Sequence, residues 1–241
     1  MKPIPFQPKR LAHFVLRQAS LNMSTFLVGI AAIFGILLLI SLLTAYWRPQ
    51  GISGLPILYL IVFFLSGIVH TSRTFQELNS QEKAYSFLTL PASTLEKMLG
   101  SWLLSSPLFI FTYGLFTLLV YGLAVLVARN PDALGALCNA HTLRSIGIYL
   151  VVQTIFFLGA CTFKKNNLLK TLLALFLFGV CVMVFVLTSS LLLARGISFD
   201  FSFNSEDIDF GPAKIIHRLF LALLGPFMLL VSYFKLKERE V

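Results

Sequence analysis

Six long apolar runs separated by polar intervals make up most of this chain: Phe26–Trp47, Leu55–Thr71, Met98–Ala128, Ile146–Phe163, Leu168–Ala194 and Leu219–Phe234. About 20 apolar residues cross a bilayer as a helix, so the pattern predicts six spans. Runs three and five exceed that minimum and must tilt, kink or protrude. Pro107 in the third and Pro226 in the sixth are the kink positions, because proline removes one ladder hydrogen bond. Tyr46 and Trp47 at one end of the first run, and Trp102 near the start of the third, suit interfacial anchoring. No internal repeat and no strand-like alternation is present, which argues against a barrel.

Two polar intervals carry helical patterns of their own. Ahead of the first run, Leu11, Phe14, Val15 and Gln18 recur at helical spacing among Lys9, Arg10 and Arg17, after Pro3, Pro5 and Pro8. This predicts an amphipathic helix over about residues 9–21, lying in the interface with its charged side toward lipid headgroups. Between runs two and three, Phe75, Leu78, Tyr85 and Leu88 fall near one helical face, with Glu77, Ser80, Gln81 and Ala84 opposite. Pro91 disfavours helix at Leu90, so that helix is expected to stop there. Ser93 followed by Glu96 is a capping box, which predicts a new helix from about Thr94.

Composition agrees with the pattern. The chain is 57% hydrophobic and only 12% charged, with a mean hydropathy of +0.86, where soluble domains are about one quarter charged. One membrane domain covering residues 1–241 is expected, with no cleavable signal peptide. The net charge of +9 reads as basic loops facing anionic lipid rather than as a nucleic-acid surface. With six spans, the side holding both termini, the 71–97 interval and the 164–170 turn collects thirteen of the 19 Lys and Arg. That predicts cytoplasmic termini and a cytoplasmic helix around residues 76–88. Cys138, Cys161 and Cys181 are scattered apolar filler.

Catalytic patterns are absent: no P-loop, no His-Glu-x-x-His, no Gly-x-Ser-x-Gly. No enzyme, metal or cofactor chemistry is expected. His70 sits alone near one end of run two and reads as structural. Asp200, Glu206, Asp207 and Asp209 lack the EF-hand spacing. Away from their ends the spans hold no Asp, Glu, Lys or Arg, whereas ion-coupled carriers usually keep such a group at mid-membrane. Hydroxyls and amides remain: Thr112, Tyr113, Tyr121, Gln153, Thr154, Thr188, Ser189 and Ser190. Of these Thr112, Tyr113, Gln153 and Thr188 are the candidates for a substrate pathway, the others serving interhelical bonding. Such a path suits a lipid-like or amphipathic cargo, with energy supplied from outside the chain.

The layout resembles the ABC-2-type permeases, membrane subunits of a class of ATP-binding-cassette transporters. Ser86-Phe87-Leu88-Thr89-Leu90-Pro91-Ala92-Ser93 with Leu95-Glu96-Lys97 is similar to the LPxS…EK segment of permease-like proteins common in Bacteroidetes, and the tail Lys235–Val241 is similar to theirs. Arg73 departs from the more acidic start of that segment in many members. The resemblance implies an all-α membrane fold, with an N-terminal interface helix, six transmembrane helices and a cytoplasmic coupling helix between the second and third. It implies a bacterial inner-membrane location, a cytoplasmic ATPase subunit, a second permease, identical or sister, and surrounding lipid as partners. In that reading Glu77, Gln81, Glu82 and Lys83 make polar contacts to the ATPase, Tyr85 and Phe87 seat in its apolar groove, and Pro91, Ser93 and Glu96 shape the coupling segment. The competing expectation is a structural or assembly subunit of a larger membrane complex that moves nothing.

Overall fold

The structure is a computed structural model that describes residues 6–79, 84, 85, 87, 89, 90, 92–137, 139–193 and 211–240. Every regular element among them is helical, and six helices are long and apolar enough to cross a membrane. The acidic loop holding Asp200, Glu206, Asp207 and Asp209 lies outside the described residues, as do Gln81, Glu82, Lys83 and Pro91.

Helix α1 runs Pro8–Trp47. Pro8 suits its first turn, where the missing N–H has no partner to lose. Residues 9–21 and the first span, expected as two elements, are one helix without a break. At 1.5 Å per residue its 40 residues reach about 60 Å, twice the hydrocarbon thickness. A face of the leading segment packs on protein: Phe14 and Gln18 are buried, while Leu16 and Leu21 are exposed. The room comes from Gly100, where an added Cβ would stand 2.5 Å from Cδ1 of Phe14.

A 3₁₀ turn, Pro49–Gly54, reverses the chain into α2, Leu55–Arg73. After the 3₁₀ turn Gln76–Asn79 and the 84–90 segment, α3 starts at Thr94 and runs to Leu103. It continues through a π-helical turn, Leu104–Leu108, into α4, Phe109–Ala128. Pro107 sits in that turn and has no N–H for the ladder, and Phe109 N–H bonds to Ser106 O. α4 ends on Arg129 in the left-handed region, φ 55°. A 3₁₀ turn, Pro131–Ala136, leads to α5, Ala140–Thr162. Four residues then connect to α6, Asn167–Leu193, and α7 spans Gly211–Glu240.

Two clusters hold the bundle. The larger joins α1, α2, α4 and α5 through Leu37, Tyr59, Phe63, Tyr113, Tyr121 and Tyr149. The smaller sits where α1 starts and α7 ends, and contains Phe14, Phe75, Phe87, Met98, Phe157 and Leu236. Both ends of the described chain therefore lie at one end of the bundle, as an even number of crossings requires.

Candidate functional site

The smaller cluster is built by the interval between α2 and α3. Phe75 follows directly on the last turn of α2. Its ring centroid lies 5.2 Å from that of Phe157 on α5 and 6.3 Å from that of Phe87. Phe87 meets Phe14 of α1 edge-on at 5.9 Å. Nζ of Lys97, on α3, stands 5.7 Å from the Phe87 centroid, within cation–π range. Leu236 brings in α7, and Arg239 donates from Nη2 to Thr162 O at 2.9 Å across the end of α5.

Phe87 is thus turned inward and 1% exposed, whereas Tyr85 is 74% exposed. The expectation that both would face a partner is corrected on this point. So is the shared face of Phe75 and Tyr85: Phe75 and Phe87 are the buried pair, because the short 3₁₀ turn after Phe75 replaces the regular helical phase assumed from spacing. Glu77 is half-buried and accepts from Nε2 of Gln18 at 3.2 Å. The turn 85–89 closes with Thr89 N and Oγ1 both donating to Tyr85 O.

The stop and restart are pinned by Glu96. Oγ of Ser93 accepts from Glu96 N at 3.2 Å, and Oε2 of Glu96 accepts from Ser93 N at 2.8 Å, the reciprocal capping box. The other oxygen, Oε1, accepts from Gln7 N at 2.7 Å and pairs with Nη2 of Arg10 at 3.3 Å. The Glu96 carboxylate is buried, so one cap ties the beginning of α3 to the beginning of α1. Local sequence shows the cap; nothing local shows that Arg10 and Gln7 complete it.

A second polar joint lies deeper. Gln153 of α5 is fully buried. Its Oε1 accepts from Oγ of Ser106 at 2.6 Å, and its Nε2 donates to Oγ1 of Thr71 at 2.9 Å and to Ser105 O, a carbonyl within the π turn. Three elements meet on one amide. The sequence signal for Ser105 and Ser106 is a pair of hydroxyls just before a proline inside an apolar run; Thr71, at the end of the second run, has no such local mark.

The four pathway candidates do not converge. Tyr113 is buried and donates to Tyr59 O at 2.8 Å. Thr112 donates to Leu108 O at 2.8 Å and Thr188 to Val184 O at 2.9 Å, each on its own helix. Only Gln153 crosslinks helices through its side chain to other side chains.

No family model, no curated protein and no solved structure matches this chain.

Proposed function

We propose that this chain is the membrane-spanning permease subunit of an ATP-binding-cassette transporter, moving a lipid-like or amphipathic substrate with energy from a separate cytoplasmic ATPase. The observation that carries this reading is the placement of Phe75 and Phe87. They flank the 76–86 segment and are buried among side chains of α1, α3, α5 and α7. Burying a phenylalanine stabilises by about 1.5–3 kcal/mol. A push on the exposed side of the segment, where Tyr85 sits, is therefore carried into four helices before either ring would pull free. Glu96 with Arg10, and Arg239 with Thr162, stiffen the same end of the bundle.

The basic excess at this end supports a cytoplasmic placement in a bacterial inner membrane. The exposed apolar length of α6 leaves room for a second permease, identical or sister. ATP is hydrolysed on the partner, with Gln81, Glu82, Lys83 and the exposed Tyr85 as its contacts, while Glu77 is turned to Gln18.

The test is purification from native membrane. The wild-type chain is expected to bring down an ATPase, and Glu82→Arg and Tyr85→Asp are expected to lose it while keeping the same helical content. A native particle without a nucleotide-hydrolysing subunit overturns the reading. One observation favours the alternative of a structural or assembly subunit: the span hydroxyls and amides named above are used within the bundle or on their own helices, leaving no continuous polar path among them.

A further inference from the structure

The groove between α1 and α2 has the shape and chemistry of a site for a single lipid. Its volume is about 500 Å³, within the range of ligand pockets. Along its length it is apolar, with Gly29, Ile30 and Ile33 on α1 and Val62, Leu65 and Val69 on α2. From Val62 to Arg73 is eleven residues, about 16 Å at 1.5 Å per residue, close to half of a hydrocarbon core about 30 Å thick. The groove is as deep as one leaflet.

Its polar end is the end of α2 and the turn after it, where Arg73, Thr74, Gln76 and Glu77 border the same opening. Arg73 is exposed and holds no ion pair among the described residues. Glu77 takes one hydrogen bond there, from Gln18 to Oε1. Among the described residues, one cation and one carboxylate line this mouth, which suits a ligand that carries both signs. A purely anionic headgroup would gain Arg73 and meet Glu77 as a like charge. A quaternary ammonium has no N–H to give Glu77, and an aromatic cage for it is not open: His70 already lies against both Phe26 and Phe109, at 5.2 Å and 5.5 Å between ring centroids.

We propose that this groove binds one glycerophospholipid whose headgroup joins a phosphate to a primary ammonium, the phosphate on Arg73, the ammonium on Glu77 and an acyl chain along Gly29, Ile33 and Val62. The site stands whether or not the chain transports anything, since it needs neither an ATPase nor a second copy.

Gly29 supplies a clean probe. No heavy atom lies within 4 Å of a Cβ built there, so a side chain can begin there without striking protein atoms, and Gly29→Leu adds bulk at a position that lines the groove while improving helix propensity. The experiment takes the full chain, purified in mild detergent and exchanged into equal amounts of phosphatidylethanolamine, phosphatidylcholine and phosphatidylglycerol. Bound lipid is counted by native mass spectrometry. One retained molecule is expected, enriched about tenfold in phosphatidylethanolamine, the scale of one charge-assisted hydrogen bond. Glu77→Gln is expected to remove the preference over phosphatidylcholine, Arg73→Gln to weaken retention of all three, and Gly29→Leu to abolish it with unchanged thermal unfolding. Equal retention of the three lipids by the wild-type chain overturns the proposal. So does a preference that survives Glu77→Gln, or full retention by Gly29→Leu.

Discussion

α5 and α6 are consecutive apolar helices joined by four residues, yet they have opposite places in the molecule. α6 is the more apolar of the two and is exposed along nearly its whole length, with 6% of its most apolar stretch buried against 44% for the stretch that includes α5. In a bilayer this inversion is expected. Lipid tails are as apolar as leucine, so a hydrophobic side chain gains little by facing protein instead. A polar or very small side chain does gain. α5 carries Gln153, whose amide has no partner in lipid. Gly67 on α2 lets the Tyr149 ring of α5 approach so closely that an added Cβ would overlap it. α6 is held mainly at its start, where Asn167 and Thr171 are buried and Thr171 packs on Gly159. Farther along, Thr188, Ser189 and Ser190 bond to carbonyls of their own helix and bring in no neighbour.

The comparison can be broken most sharply at the α2–α5 contact. Gly67→Val should cost about 3 kcal/mol, the upper end of overpacking, and lower the unfolding midpoint in detergent by roughly 6–12 °C. A midpoint within a degree of wild type would mean that close approach does not hold α5 inside. Next is Gln153→Leu. With three hydrogen bonds at about 0.6 kcal/mol each, it should destabilise by about 2 kcal/mol, readable in the same melt. If Thr71→Val costs as much alone and the double change adds nothing, the two act as one joint. The smallest effect belongs to α6: Phe178→Ala removes an exposed ring and should change stability in detergent by less than about 0.5 kcal/mol. A large loss there would show that α6 is already covered by another copy in the purified particle.

The same contrast explains what was legible beforehand. The six runs, the polar interval at 71–97 and the restart at Thr94 depend on residues within a few positions of one another, and each is visible as a local pattern. Phe87 faces inward rather than outward because regular helical spacing does not extend across an interval whose first turn is 3₁₀. The break expected after residue 21 is absent: α1 is one helix from Pro8 to Trp47, because residues 22–25 hold no Pro or Gly to stop it. Gln153 was named from sequence as a pathway candidate. Its partners are 47, 48 and 82 positions away, one of them a carbonyl inside the π turn.

Chain chemistry alone determined that the protein is helical, membrane-sized and six times apolar, since hydrogen-bond satisfaction in hydrocarbon leaves the backbone little else to do. Which of those helices became interior, which aromatic side chains turned inward, and that Glu96 is closed by Arg10, 86 positions earlier, were decided only by packing. Apolar side chains are indifferent between lipid and protein, so those choices fall to a few polar groups and glycines whose partners no local pattern records.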